Sequence, residues 1–380
     1  MIRVCQLITE LRPAGAERCV LELARRLPAD RFAVEVAALR GGAVADALSE
    51  AGVPVHVLDV RGKWDAPRWP ALVRLLRRGR FDILHTHLFH ADLAGRPAAR
   101  LAGVPHVVHT VHVAERRRRP WQFLWARLTA DTAGTIVCVS RGVRDFHRRR
   151  TRLPAGRYTV IHNGIDADAY ARGDTLRARW RRLWEVGQDD VLCAFVGRLD
   201  RQKGLDVLLP AFERAEIAAP ALRLVIAGEG PLRPAAQAWL RSSLAGPRIR
   251  LLGHVSDVRH VLSAADIFCQ PSRWEGFGLA AAEAMAARLP VVATDVEGLN
   301  EVVAAGQTGL LCRPDDPEAL AGLIGRLARD AELRARLGDA GRRRVLEKFT
   351  IERFIDRHAE LYEALMRGPA EYLTRARSAR

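Results

Sequence analysis

Short apolar runs rich in Val and Ile alternate with longer amphipathic segments along most of this chain. Runs of that length between helical patterns of roughly 10 to 15 residues predict repeated βαβ units and mostly parallel sheets. In the first half, 2–8, 32–39, 53–58, 82–85, 106–110, 135–139 and 158–162 read as strands. The rhythm restarts at 191–196 and continues through 222–227, 249–252, 266–269, 291–293 and 309–312. Between the two series Asn163-Gly164-Ile165-Asp166 contains a turn dipeptide, and a polar stretch follows to Gly173. That punctuation predicts a domain boundary, with domains at 1–166 and 167–350. From Asp316 the chain reads as helical, with Asp316 as N-cap, Pro317 at the first helical position, and Gly338 and Gly341 as breaks. In the last helix Ile351, Phe354, Ile355, His358, Leu361, Tyr362 and Leu365 recur at 3–4 spacing, which predicts a packed face. Residues 369–380, with Arg375, Arg377 and Arg380, are expected to form a loose tail.

Length and composition agree with this picture. A chain of 380 residues suits two domains, each with its own core. No stretch reaches the roughly 18 consecutive apolar residues of a membrane span, and the N-terminus reads as a buried strand without a signal-peptide pattern. A cytoplasmic location follows as an expectation. The six cysteines, at 5, 19, 138, 193, 269 and 312, show no C-x-x-C spacing and read as small buried hydrophobes.

Charge adds one feature. Of the net +16, +13 falls at or before Asp166 and +3 after it, and lysine occurs only at 63, 203 and 348. Arginine-rich composition alone does not select one half, so an anionic partner is expected for the N-terminal half: a phospholipid surface, a lipid phosphate or an acidic glycan. Nucleic acid is not expected, because no recognised binding module accompanies the basic runs.

The chemistry concentrates in two segments. Glu275-Gly276-Phe277-Gly278-Leu279-Ala280-Ala281-Ala282-Glu283 follows the strand 266–269, so a glycine-rich turn opens a helix at the carboxyl edge of a parallel sheet. Free N–H groups and the helix dipole there favour phosphate. Glu275 precedes the helix and Glu283 lies one to two turns into it, and ionised carboxylates accept hydrogen bonds from vicinal hydroxyls of sugar and ribose. Gly197-Arg198-Leu199-Asp200-Arg201-Gln202-Lys203-Gly204 follows the strand 191–196. Arg198 and Lys203 suit the neutralisation of a diphosphate leaving group; the alternative is an ordinary solvated loop.

Together these segments resemble the retaining glycosyltransferases of family four, across nearly the whole chain. The resemblance implies two Rossmann-like doubly wound α/β domains facing a central cleft (the GT-B arrangement), with a C-terminal helix, 351–368, crossing back to the N-terminal domain. It implies that Glu275 contacts the donor sugar and Glu283 the ribose, and that the backbone of Phe277, Gly278 and Leu279 meets sugar and phosphate. Arg198 and Lys203 match the diphosphate-binding pair. Pro13-Ala14-Gly15-Ala16-Glu17 is similar to the family's glycine loop, which brings Gly15 to the donor. His109-Thr110-Val111-His112 ends on the histidine near the reacting sugar. Val139-Ser140, Asn163-Gly164-Ile165-Asp166 and Ala227-Gly228-Glu229-Gly230-Pro231 also fall where the family has similar strings, and base contacts come from backbone near Gly253 to Val255. The departures are Ala14-Gly15, where two glycines are common, and Glu297, where a smaller residue is common.

The implied reaction moves a sugar from a nucleotide-sugar donor, such as a UDP- or GDP-sugar, to a hydroxyl of a glycan or lipid-linked acceptor. It proceeds with retention and needs no cofactor or metal; polysaccharide, lipopolysaccharide or glycolipid synthesis is the setting. Other readings stay open: an epimerase or phosphorylase of the same fold, or a non-catalytic nucleotide-sugar-binding protein. Histidines at 85, 87, 90, 106, 109 and 112 raise a metal site, but no carboxylate or cysteine shares their spacing. Asp166-Ala167-Asp168 has the D-x-D form of metal-dependent transferases yet sits at the linker turn, and Glu275 with Glu283 could form a glycosidase pair. Arg116 to Arg119 followed by Pro120-Trp121-Gln122-Phe123-Leu124-Trp125 reads either as a membrane-headgroup segment, extended by Trp64, Trp69 and Arg148 to Arg150, or as a solvated loop with buried tryptophans.

Overall fold

A computed structural model describes residues 1–60, 62, 69–114, 116, 119–132, 134–171 and 173–368. The chain divides into two compact units, Met1–Gly164 joined by the segment from Ile351, and Ile165–Thr350.

The first unit contains β1 (Ile2–Glu10), β2 (Phe32–Arg40), β3 (Val55–Val57), β4 (Ile83–His87), β5 (His106–Val111), β6 (Thr135–Cys138) and β7 (Tyr158–Val160). They form one sheet in the order β3-β2-β1-β4-β5-β6-β7, with every pair parallel. The crossovers hold α1 (Gly15–Arg26), α2 (Val44–Glu50), α3 (Trp69–Gly79), α4 (Phe89–Ala102), α5 (Pro120–Leu128) and α6 (Arg141–Thr151). β1 lies mid-sheet with both faces covered, which is why Val4 to Ile8 is a continuous buried run and not an alternating one.

The second unit holds β8 (Val191–Val196), β9 (Leu222–Ala227), β10 (Ile249–Gly253), β11 (Ile267–Gln270), β12 (Val291–Thr294) and β13 (Gly309–Cys312), all parallel, in the order β10-β9-β8-β11-β12-β13. Its helices are α7 (Asp174–Leu183), α8 (Leu205–Ala218), α9 (Arg233–Ser242), α10 (Arg259–Ala264), α11 (Leu279–Ala286), α12 (Leu299–Val302), α13 (Pro317–Arg329) and α14 (Ala331–Lys348). One core runs under this sheet from Phe195, Leu208 and Phe212 to Ile267, Leu320 and Leu337.

The final helix, α15 (Ile351–Arg367), belongs to the first unit. Phe354, Ile355, Leu361 and Tyr362 pack with Leu23, Ile83, Val108 and Val137, so the 3–4 periodicity read from sequence is the contact face. The tail 369–380 lies outside the described residues.

The glycine breaks are corrected by the structure. α14 runs unbroken through both Gly338 and Gly341. A Cβ at Gly338 would lie 2.1 Å from the Arg288 carbonyl oxygen, and one at Gly341 3.3 Å from Met285 Cγ, so both glycines admit neighbours. The chain breaks instead at Asp330, whose carboxylate accepts the Leu333 N–H at 2.8 Å, as Asp316 accepts that of Ala319 at 2.9 Å to start α13. Alanine in place of glycine gains a helix interior up to about 1 kcal/mol, whereas overpacking against fixed backbone costs about 1–3. Gly338→Ala is therefore expected to lower the urea midpoint, and Gly322→Ala in α13, where nothing lies within 4 Å, to raise it.

All six cysteines are buried and free of disulfides. Among the described residues no helix is long and apolar enough to cross a membrane.

Candidate functional site

In the second sheet β8 and β11 are neighbours from which the chain proceeds in opposite directions, to β9 and to β12. The loops leaving them diverge, and the crevice between such loops is where doubly wound sheets bind ligands. The two motifs singled out in the sequence are those loops: Gly197 to Gly204 leaves β8, and Pro271 to Gly278 leaves β11.

Side chains join the loops. Lys203 Nζ lies 2.6 Å from Glu275 Oε1, which also accepts Gln270 Nε2 at 2.7 Å and Ser272 Oγ at 2.8 Å. The Glu275 side chain is only 7% exposed. Gly204 makes the meeting possible, because at φ +70° a Cβ there would sit 2.0 Å from the Pro271 carbonyl oxygen. Asp200 braces the first loop: one oxygen accepts the Lys203 N–H at 3.1 Å and the other pairs with Arg198. The two cations are thus held differently. Lys203 is committed to Glu275, while Arg198 keeps 64% of its side chain in solvent.

α11 begins at Gly278, which has φ +97° and supplies no side-chain cap, so the first N–H groups of the helix have no capping oxygen. Leu279 and Ala280 form its half-exposed start. Phe277 is 2% exposed, with its ring edge-on to Phe349 at 5.3 Å. Glu283, at the fifth helical position, is buried and accepts the Tyr170 hydroxyl at 2.9 Å. Gly253, at the end of β10, accepts the Gly228 N–H through its carbonyl at 2.7 Å.

The first unit repeats the layout, with its switch between β1 and β4. Gly15 is exposed and opens α1 after Ala14, which provides no side-chain cap. Glu17 in the first turn is 4% exposed, and its Oε2 has no hydrogen-bond partner among the described residues. Burial pushes its carboxyl up to about 7 from the ordinary 4.5. An acid raised in this way contributes stability below its ordinary value and loses it as pH rises through 7. Glu17→Gln is accordingly expected to be more stable than the parent above about pH 8, by on the order of 1–3 kcal/mol, with the difference vanishing near pH 4; thermal melts across pH measure it.

His112 follows β5, with Nε2 2.9 Å from His87 Nδ1, and burial first and His109 and His358 next hold it down to about 3. His85 and His87 share that face, as strand alternation implies, and burial lowers both as well. His109 faces the opposite way, 3.0 Å from Thr86 Oγ1 and 3.3 Å from Asp92. His106 is half-buried at the start of β5 and His90 lies in α4. Among the described residues no three His, Cys, Asp or Glu side chains are grouped to hold a metal. In the D-x-D string, Asp166 accepts the Ala169 N–H at 3.4 Å, and Asp168, with its side chain in solvent, lies 3.4 Å from Arg342.

The basic aromatic segment forms α5. Trp121, Leu124 and Leu128 are 47, 53 and 73% exposed, whereas Phe123 packs inward against Phe146 of α6, with Arg150 over both rings. Trp125 is half-buried and Trp69 packs on the core near Leu72; Trp64, Arg117 and Arg118 lie outside the described residues.

Gln270, Ser272, Asp200 and Tyr170 were not read from the sequence. Ser272 and Gln270 lie three and five residues before Glu275, a spacing that could have drawn attention. Tyr170 is 113 residues from its partner and carried no local signal.

The comparisons with known proteins bear on the family and the fold. The family model for glycosyl transferases group 1 matches residues 177–344, and that for glycosyltransferase family 4 matches 13–169. Alpha-maltose-1-phosphate synthase of Mycolicibacterium smegmatis is 35% identical over 308 residues, covering 74% of this chain and 78% of that protein. UDP-Gal:alpha-D-GlcNAc-diphosphoundecaprenol alpha-1,3-galactosyltransferase of Escherichia coli is 27% identical over 364 residues, 92% of this chain and 93% of that one. The crystal structure of Anabaena Alr3699/HepE in complex with UDP-glucose matches with a TM-score of 0.87 at 21% identity, over 96% and 100% of the two chains, a likeness of fold. Each unit is a Rossmann-like domain of the kind found in GT-B glycosyltransferases. The chain belongs to glycosyltransferase family 4.

Proposed function

We propose that this enzyme transfers a sugar from a nucleotide-sugar donor to an acceptor hydroxyl, with retention of anomeric configuration and without a metal. The observation that carries the reading is the Lys203–Glu275 pair, which ties two loops at a sheet switch point beside the uncapped start of α11. The donor is held by 167–350 and the acceptor by 1–166. A relative named for UDP-Gal and a structure of similar fold crystallised with UDP-glucose support a nucleotide sugar.

In this mechanism the diphosphate lies across the N-terminus of α11, and Arg198 and Lys203 take up the charge that grows on it as the glycosidic bond breaks. Glu275 binds sugar hydroxyls, and Glu283, steadied by Tyr170, accepts those of the ribose. As the sugar–phosphate bond breaks, the acceptor oxygen bonds to the anomeric carbon on the same face and gives its proton to the departing phosphate oxygen. No carboxylate nucleophile is required. The two cations and the helix end supply the charge that a metal supplies in other transferases.

Thermal shift against UDP, GDP and ADP identifies the nucleotide. Proton NMR of the product formed in EDTA then reads the anomeric configuration, and inversion or an absolute need for metal overturns the reading. Donor turnover without acceptor would instead favour an epimerase or phosphorylase, and binding without turnover a nucleotide-sugar-binding protein.

The setting is cell-surface polysaccharide, lipopolysaccharide or glycolipid synthesis, with the enzyme cytoplasmic and peripheral to the inner face of the membrane. Support comes from α5, where Trp121, Leu124 and Leu128 form an exposed apolar face in the strongly basic half of the chain. Trp121→Ser/Leu124→Ser is expected to lower binding to vesicles containing phosphatidylglycerol, scored by flotation; equal flotation removes the membrane role.

A further inference from the structure

We propose that Gln6, anchored by Tyr362 of α15, sets the tautomer of His112 through a one-directional chain of hydrogen bonds, so that His112 offers a bare Nδ1 as acceptor to a substrate hydroxyl. The chain lies wholly within the first unit. Tyr362 and Gln6 are fully buried, as are His85 and His87 to within 1%.

The direction follows from counting protons. Gln6 Nε2 can only donate, and it donates to the Tyr362 hydroxyl at 3.0 Å. That hydroxyl has one proton of its own, which goes to His85 Nδ1 at 2.6 Å. His85 therefore carries its proton on Nε2 and donates to Thr110 Oγ1 at 2.7 Å. At the other end of the amide, Gln6 Oε1 can only accept, so His87 carries its proton on Nε2, 2.8 Å away. A neutral imidazole has one N–H, which leaves His87 Nδ1 as an acceptor facing His112 Nε2 at 2.9 Å. His112 must then be protonated on Nε2 and bare on Nδ1.

The argument requires neutral rings, and the surroundings keep them neutral. The ionisable groups facing them are one another, His358 and Tyr362, and His109 lies behind the sheet. Burial and mutual repulsion lower His85 and His87 well below the ordinary value, and burial lowers His358 to about 4. Gln6 is the directing element, because an amide has one donating end and one accepting end. Turning it over would reverse every proton in the chain and leave Nδ1–H on His112. The amide's Nε2 donates to the Tyr362 hydroxyl and its Oε1 accepts from His87, and that placement of the two ends gives the chain its sense. A neutral histidine with a bare nitrogen binds a sugar hydroxyl by accepting its hydrogen bond. Tyr362 is thus a positioning residue that acts from the far end of the chain, 250 residues after His112.

That His112 meets the sugar rests on the function proposed above; its tautomer does not. The first test is therefore long-range proton–nitrogen NMR on the ligand-free full chain with nitrogen-15 histidine. It is expected to find Nε2–H on His112, His87 and His85, unchanged from about pH 6 to 8. Nδ1–H on His112, or a mixture of the two forms, overturns the proposal. Tyr362→Phe removes the acceptor from Gln6 and should yield mixed tautomers at His112 with kcat lowered roughly tenfold. Thr110→Val, which cuts only the His85 arm, should leave the His112 signal as in the parent. A single tautomer in Tyr362→Phe overturns the role of Tyr362. Mixed tautomers with unchanged kcat overturn the use of Nδ1 in turnover, while product formation by the parent enzyme separately decides whether it is a glycosyltransferase. If Tyr362→Phe does not fold, the parent spectrum alone decides the tautomer.

Discussion

Lys203→Ala is expected to lower kcat by roughly 100- to 1,000-fold, the range seen when one preorganised group that stabilises charge in a transition state is removed. Charge on the leaving diphosphate grows as the bond to the sugar breaks, and the ammonium of Lys203 is fixed before that moment by Glu275, 2.6 Å away. Because the interaction strengthens as the reaction proceeds, the loss appears in kcat more than in KM. Glu275 retains Gln270 and Ser272 as donors in the variant, so the carboxylate stays hydrogen-bonded and the fold survives, which circular dichroism checks. Lys203→Ala combined with Glu275→Gln should lose less than the sum of the single losses, since the two side chains act as one unit. A kcat within about threefold of the parent would remove Lys203 from the leaving-group role.

Glu283→Gln is expected to act on the other parameter. If Glu283 holds the ribose, its contacts are made equally in the bound donor and in the transition state, so its loss raises the donor KM and leaves kcat nearly unchanged. Hydrogen bonds to a charged group contribute about 1.5–3 kcal/mol, which corresponds to roughly 10- to 100-fold in KM. Tyr170→Phe, which removes the hydroxyl 2.9 Å from Glu283, should give a smaller change in the same direction, about fivefold. The nucleoside diphosphate alone should lose affinity in parallel, because the ribose belongs to it and the sugar does not. A kcat effect without a KM effect would assign Glu283 to the chemistry instead.

These two residues illustrate how far local sequence reaches. The alternation of apolar runs and amphipathic segments was sufficient for two parallel α/β units. Residues 222–227 and 309–312 form strands with the bounds expected from them, because a buried strand between two helices is marked by its own composition. Asp316 was legible as a cap for the same reason, since its partner is three residues away. Gly338 and Gly341 were misread because a glycine that ends a helix and a glycine that admits a neighbour look alike along the chain. Only the Arg288 carbonyl and the Met285 side chain, some fifty residues earlier, distinguish them.

Sequence by itself supplied the candidates: two carboxylates, a lysine and an arginine on glycine-bearing loops after strands of the second half, and a histidine after a strand of the first. The carboxylates and cations are marked by turn chemistry and residue type within a few positions, and the histidine by the resemblance to family four. Tertiary structure alone decided the pairings. Lys203 reaches Glu275 across 72 residues because the sheet order makes β8 and β11 neighbours, and Tyr362 reaches Gln6 across 356 because α15 packs on the first sheet. A contact of that span is set by strand order and helix docking, which no window along the chain contains.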